Sequence, residues 1–308
     1  MTQAAKTRSA QDTRVELGTW QGRALIFVSA VLWSTSGFFA KAPWFDDWDA
    51  DSRGCLLAFF RSLFALPVLL PLVKRFDLRP MMIVMTVCFA VMVWTFMSAM
   101  SRGPAATAIW LQYLCPAWIV LSNRWFAKQS IAFEDARMLR FSMSGVAFIL
   151  VMELQRGANL TATLLGLLSG MAYAGVVTSM RSLRDSDPAW LITLNHLATV
   201  VILAPIAWIS HQPITLVGYT ALAFFGIFQM SIPYVLFAKG LGSVRGAEAS
   251  MLTLVEPVLV PVWVYIAWHH HVSYQPPPWW IWVGGAMILA GLLQRYILNP
   301  RGKSNREA

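Results

Sequence analysis

A carboxylate stands in the middle of an apolar run. In "LVEPVLVPVW", Leu254 to Trp263, Glu256 lies inside a stretch reaching from Met251 to Trp268, with Pro257 beside it and Pro261 four residues on. A charged side chain at the centre of a bilayer costs about 2.5–3.5 kcal/mol on insertion scales, so it must face a partner or a wet cavity. Such a carboxylate can hold a ligand's ammonium group or relay a proton. It can also only brace the break at Pro257, because proline leaves a helix carbonyl without its donor and a nearby polar group can satisfy it. Arg61 sits about eight residues into another apolar run, at comparable depth. A guanidinium can pair with a carboxylate through two hydrogen bonds. Arg61 and Glu256 are therefore expected to approach each other or to line one cavity. The plain alternative for Arg61 is that its long stem carries the charge to the outer surface.

Other groups fall in the same depth range: Trp33, Trp94, Trp110, Gln112, Tyr113, Asn195, Gln229, Tyr234 and Thr253. An apolar, aromatic-lined pocket with a few polar groups suits a small amphipathic ligand, and tryptophan faces also attract organic cations. Many tryptophans belong instead at the membrane interfaces, as expected for Trp20, Trp44, Trp48, Trp279 and Trp280. The amides Gln112, Asn195 and Gln229 are better site candidates, because an amide facing lipid needs a partner. Pro116 and Pro257 are candidate hinges, with a static bend as the simpler reading. "HHH" at 269–271 reads as a polar loop start, since neighbouring residues on a helix do not share a face. Cys55, Cys88 and Cys115 form neither a disulfide framework nor a zinc pattern. "KGLG" at 239–242 lacks the strand a phosphate-binding loop requires. No catalytic, metal or cofactor motif is visible, so the sequence does not read as an enzyme.

The elements that must position these groups are membrane helices. Of the 308 residues 57% are hydrophobic and 13% charged, against about half and a quarter in soluble domains. The apolar residues come in blocks near the roughly 20 needed to cross a bilayer as a helix. Ten spans are expected, at 23–41, 54–73, 80–100, 104–122, 138–153, 163–180, 189–209, 215–238, 247–268 and 279–298. The net charge of +9 is a matter of topology rather than nucleic-acid binding. Nineteen of the 24 Lys and Arg fall in alternate loops and tails that include both termini, four in the opposite loops, and Arg61 within a span. The positive-inside rule then places both termini in the cytoplasm. The first apolar block reads as a retained span rather than a signal peptide. Residues 1–20 and 300–308 read as disordered polar tails.

The chain also repeats itself. "AATAIWLQYLCPAWIV" (105–120) aligns with "GAEASMLTLVEPVLVP" (246–261), pairing Pro116 with Pro257. Gly145 pairs with Gly285, Ser29 with Ser169 and Trp33 with Tyr173 at almost the same offset. The domain expectation is two five-span halves, 22–153 and 163–298, between tails 1–21 and 299–308. Five spans is an odd number, so the second half enters the membrane upside down. Inverted repeats of this kind are typical of secondary transporters, with the substrate site near the midplane.

The stretches "LWSTSGFFAK", "LLAFFRSLFALPVLLPL", "FAKGLGSVRGAEASMLTLVEPVLVPVWVYIAW" and "IWVGGAMILAGLL" resemble the EamA branch of the drug/metabolite transporter superfamily. The resemblance spans both halves and implies a ten-helix inverted-repeat fold and export or exchange of small metabolites. The resulting expectation is an all-α protein of the inner membrane that works by alternating access. Its cavity would be lined from spans 1, 3, 4, 6, 8 and 9, and neutral or aromatic amino acids are the first substrate class. The lipid bilayer is the surrounding partner, a proton is the candidate coupling ion, and no cofactor is called for. Organic-cation or multidrug export and a non-transporting membrane interaction protein are the alternatives. A channel would want a ring of like charges or carbonyls.

Overall fold

The computed structural model describes residues 18–156, 159–210, 212–244 and 246–297. Residues 1–17 of the expected first tail, 1–21, and the whole of the expected second tail, 299–308, lie outside them. Every regular element among the described residues is helical. The order is α1 (Thr19–Ser34), α2 (Ser36–Ala40), α3 (Ala50–Leu69), α4 (Pro80–Arg102), α5 (Ala105–Gln112), α6 (Cys115–Trp125), α7 (Phe133–Arg156) and α8 (Leu160–Ser182). It continues with α9 (Pro188–Ile209), α10 (Leu216–Phe224), α11 (Ile232–Leu241), α12 (Gly246–Thr253), α13 (Glu256–Trp268) and α14 (Trp279–Ile297). Nine passes among the described residues are long and apolar enough to cross a membrane, and the apolar helix Trp279–Gln294 is the tenth. The expected spans coincide with these passes to within a few residues. The largest differences are at α7, which starts at Phe133 rather than 138, and at α1 and α3, which start at Thr19 rather than 23 and at Ala50 rather than 54.

Four passes are interrupted. Span 1 breaks at Thr35 between α1 and α2, and the Thr35 hydroxyl donates to the Leu32 carbonyl at 2.7 Å. Spans 4 and 9 break at Tyr113–Leu114 and at Leu254–Val255. Pro116 and Pro257 each occupy the second position of the new half-helix. That position has no intrahelical acceptor for an N–H, so proline costs nothing there. The sequence reading has each proline break its helix near mid-membrane; the helix stops just before the proline and restarts with it at its second position. Span 8 joins α10 to α11 through a π-helical turn, Phe225–Ser231. Pro233 cannot donate to the carbonyl of Gln229, and the Ser231 hydroxyl bonds the Gly226 carbonyl at 3.1 Å in this loosened turn.

The packing maps onto itself when the first five passes are exchanged with the last five. The α4 contact on α8 has its counterpart in α11 on α1. The α5 and α6 contacts on α8 correspond to α12 and α13 on α1, and α4 on α9 corresponds to the π turn on α3. The pairs α3–α9 and α7–α14 map onto themselves. With five crossings per half, the exchange axis lies in the membrane plane, as inverted repeats require. Small residues let the helices close. A Cβ on Gly145 of α7 would stand 2.6 Å from the Gly284 carbonyl oxygen of α14, and one on Gly170 of α8 would stand 2.5 Å from the Leu111 carbonyl oxygen. The Gly166–Gly170 stripe of span 6 therefore packs against α5.

Asp187 fastens the loop after span 2 to the start of α9. Its carboxylate caps the helix by accepting the Ala189 N–H at 3.0 Å. It also accepts the backbone N–H groups of Lys74 (2.6 Å) and Arg75 (3.0 Å). Burial alone would raise its pKa, but the three donors outweigh it and hold the carboxyl below its ordinary value. A depressed folded-state pKa means stability that is present above the unfolded value near 4 and is lost as pH falls through the folded value. Asp187→Ala is expected to lower stability by about 1 kcal/mol, the usual worth of an N-cap, at pH 7. The difference from wild type should shrink below about pH 4, as read by melting curves across pH.

Candidate functional site

The breaks in spans 4 and 9 place two side chains against each other. Tyr113 follows the last residue of α5, and its hydroxyl lies 2.8 Å from Glu256 Oε2 and 2.8 Å from the Thr253 carbonyl oxygen. A hydroxyl has one proton to give. With Glu256 ionised, Tyr113 donates to the carboxylate. With Glu256 protonated, the carboxyl can donate to Tyr113 while Tyr113 donates to Thr253. Both protonation states are satisfied without moving a heavy atom. Glu256 is also the first residue of α13, where the helix dipole favours negative charge. Glu256, Tyr113 and Thr253 are half-buried.

A second polar layer lies beside it. Arg61 on α3 is 3% exposed, and its Nη1 donates to Gln229 Oε1 at 3.4 Å. The guanidinium carbon stands 5.1 Å from the centre of the Phe225 ring. Gln229 Nε2 donates to the Trp33 carbonyl at 3.0 Å, held by the π turn on one side and the break after α1 on the other. The Trp33 ring meets Tyr234 edge-on at 5.1 Å, and Tyr234 meets His196 at 6.2 Å. Arg61 and Glu256 feel each other's charge, and both feel Tyr234. They form no direct ion pair: the structure gives each its own neutral partner, Gln229 for Arg61 and Tyr113 for Glu256.

Of the residues singled out from sequence, Trp33, Arg61, Tyr113, Gln229, Tyr234, Thr253 and Glu256 come together here, and Pro116 and Pro257 follow the two breaks. Others stand apart. Trp94 is 36% exposed, on a stripe along α4 with Ile83, Val84 and Val87. Trp110 packs on Gly285 of α14, where a Cβ would stand 2.6 Å from its ring. Gln112 donates to Ser169 Oγ at 3.0 Å and braces α5 on α8. Asn195 is buried with its Oδ1 unpartnered, next to His196. Two buried titratable residues escaped sequence reasoning. His196 has no exposed surface and no partner for either ring nitrogen. Its signal was present, as a titratable group beside a candidate amide in an apolar span. Glu153, at the expected end of span 5, is buried and accepts from Trp280 Nε1 at 3.1 Å.

Further hydrogen bonds tie span 1 and the segment after it to α3 and α13. Arg53 Nη1 donates to Asp46 at 2.8 Å, and its Nη2 donates to the Ala40 and Ala42 carbonyls at 3.1 Å each. Trp263 Nε1 donates to Ser34 Oγ at 2.8 Å and Trp268 Nε1 to the Phe38 carbonyl at 2.9 Å, binding α13 to span 1. An open groove of about 470 Å³ between Phe38, Phe39, Trp44 and Phe224 has an almost wholly apolar lining, suited to acyl chains rather than to a polar solute.

Paired helix breaks at mid-depth, a half-buried carboxylate between them and an exchange-symmetric bundle define a repeat-built membrane protein of the transporter class. The profile of the EamA-like transporter family matches residues 20–151 and again 160–294, one copy in each half. The chain belongs to that family. An uncharacterized transporter from Archaeoglobus fulgidus is 26% identical over 275 residues, covering 88% of this chain and 95% of its own length. A protein of known crystal structure, 16% identical, superposes with a TM-score of 0.60 over 90% of this chain and 98% of the other, a likeness of fold alone.

Proposed function

We propose that this chain is a secondary transporter that exports small amphipathic metabolites, neutral or aromatic amino acids first, by alternating access. Glu256 carries the reading. A half-buried carboxylate at the start of a mid-membrane half-helix would hold an ammonium group, with the aromatic faces of Trp33 and Tyr234 against an apolar side chain. The exchangeable hydrogen bond between Tyr113 and Glu256 suits a proton as coupling ion, because either protonation state keeps its partners. The two five-pass halves, 22–153 and 163–298, rock about this layer, with the breaks before Pro116 and Pro257 as hinges. The ties at Arg53, Trp263 and Trp268 close one face in this conformation. The bias of Lys and Arg supports cytoplasmic termini, and the membrane of this reading is the inner one. Organic cations are the second reading, favoured by the same acid and aromatic faces.

The test is uptake into proteoliposomes with labelled aromatic amino acids and organic cations, at two external pH values. Saturable flux of an amino acid, above that of protein-free vesicles and faster with an imposed proton gradient, is the expected result. Flux of organic cations alone would move the protein to the second reading. No flux of either class would remove the proposal.

A further inference from the structure

Arg61 poses a question that the proposed function leaves unanswered. It is a guanidinium inside the bundle with no acid in ion-pair contact. Its immediate neighbours are the Gln229 amide and the Phe225 ring, and His196, whose ring meets Tyr234 at 6.2 Å, lies on α9, which packs against Arg61's own helix α3. The acid that feels its charge, Glu256, already accepts from Tyr113. A buried charge without a counter-charge is costly and is kept where something pairs with it. Arg61 Nε has no hydrogen-bond partner, and neither ring nitrogen of His196 has one. A buried imidazole must leave one N–H and one lone pair unsatisfied when nothing meets it. These orphan groups lie on α3 and α9, a pair of helices that packs together across the two halves. A water could bond them but would leave the positive charge uncompensated. A small anionic group would answer both, accepting from the guanidinium fork and from the imidazole N–H at once.

We propose that Arg61 and His196 form the subsite for the substrate's carboxylate, with Gln229 holding the guanidinium in place. Resting on the reading above, the substrate is then a zwitterion: carboxylate at Arg61 and His196, ammonium at Glu256, apolar side chain against Trp33 and Tyr234. The requirement for both charges separates amino acids from the amines and organic cations that a lone acid would also accept. It also supplies the missing counter-charge, since the bound zwitterion compensates Arg61 and Glu256 together.

The test uses the purified full chain in lipid nanodiscs and three probes that share one phenylethyl group: L-phenylalanine, phenylethylamine without the carboxylate, and phenylpropionate without the ammonium. A hydrogen-bonded charge pair gives about a 10- to 100-fold effect. Wild type is therefore expected to bind phenylalanine about 10- to 100-fold more tightly than phenylethylamine. In Arg61→Gln, and to a smaller extent in His196→Asn, that ratio falls toward one. Equal wild-type affinity for phenylalanine and phenylethylamine would overturn the carboxylate subsite and leave the Glu256 reading standing. Phenylpropionate binding that is lost in Arg61→Gln yet kept in Glu256→Gln would support the subsite and remove the ammonium role of Glu256. Binding of none of the three by wild type would overturn both. If Arg61→Gln fails to fold, the wild-type ratio and His196→Asn still decide.

Discussion

Glu256→Gln is expected to reduce substrate flux about 2- to 30-fold while leaving the protein folded. The substitution keeps the volume and keeps an oxygen that can accept from Tyr113, so the contact between the two broken helices survives. What disappears is the charge. A hydrogen bond to a charged group is worth about 1.5–3 kcal/mol, against about 1 kcal/mol for a neutral one. The difference falls on any ligand ammonium and on any proton the carboxylate must release. Because the amide cannot titrate, the residual flux should also lose its response to an imposed proton gradient. Tyr113→Phe makes the contrasting case. It removes the shared hydroxyl, leaves the carboxylate charged, and should weaken transport while preserving the response to pH. Equal flux in wild type and Glu256→Gln at both pH values would leave the acid as a brace for the break and nothing more. The measurement is initial uptake in proteoliposomes, with melting temperature as the check on folding.

Glu256, Arg61 and the two repeat-related prolines could be picked out from sequence because each violates the local rule of an apolar span. A violation is visible without knowing which way a side chain faces. Trp94 and Trp110 show the opposite case. Tryptophan is at home against lipid, against a glycine of a neighbouring helix, or beside a ligand, and its depth does not separate the three. Only packing shows that Trp110 meets Gly285 and that Trp94 lies on an exposed stripe. The passes were legible for the same physical reason that the site was only half so. Length and hydrophobicity fix a crossing, whereas the rotation of each helix is fixed by its neighbours.

The manner of the breaks was also hidden. A proline in an apolar run reads equally as a kink within a helix or as the second residue of a new one. The chain takes the second course at both Pro116 and Pro257, which puts Glu256 at the first position of α13 rather than in its middle. The π turn at Phe225–Ser231 has a faint trace in Pro233, four residues after Gln229, but its register depends on contacts with α3. His196 was passed over beside Asn195, since a lone histidine reads as one more polar residue until both its nitrogens are found buried without partners.

Gly226→Ala is expected to be a strongly damaging single-methyl change beside the Arg61 layer. Gly226 opens the π turn against α3, and a Cβ there would stand 2.5 Å from Phe64 Cβ and 2.7 Å from the carbonyl oxygen of Arg61. The backbone cannot rotate out of the way like a side-chain tip, so the π turn and α3 must separate. Overpacking of this kind costs about 1–3 kcal/mol. The separation acts on function as well as stability. Gln229 lies three residues on in the same turn, and its bond to Arg61 is already long at 3.4 Å. Pushing the turn away breaks that bond and frees the guanidinium from its hold. Gly246→Ala adds the same methyl at the start of α12, where nothing lies within 4 Å of the new Cβ. It should be neutral or slightly stabilising, since alanine restricts the unfolded chain more than glycine does. The expected result is a lower melting temperature and a strongly reduced uptake rate for Gly226→Ala, with both unchanged or improved for Gly246→Ala. Wild-type melting and uptake in Gly226→Ala would mean that α3 and the π turn are not in the contact that positions Arg61.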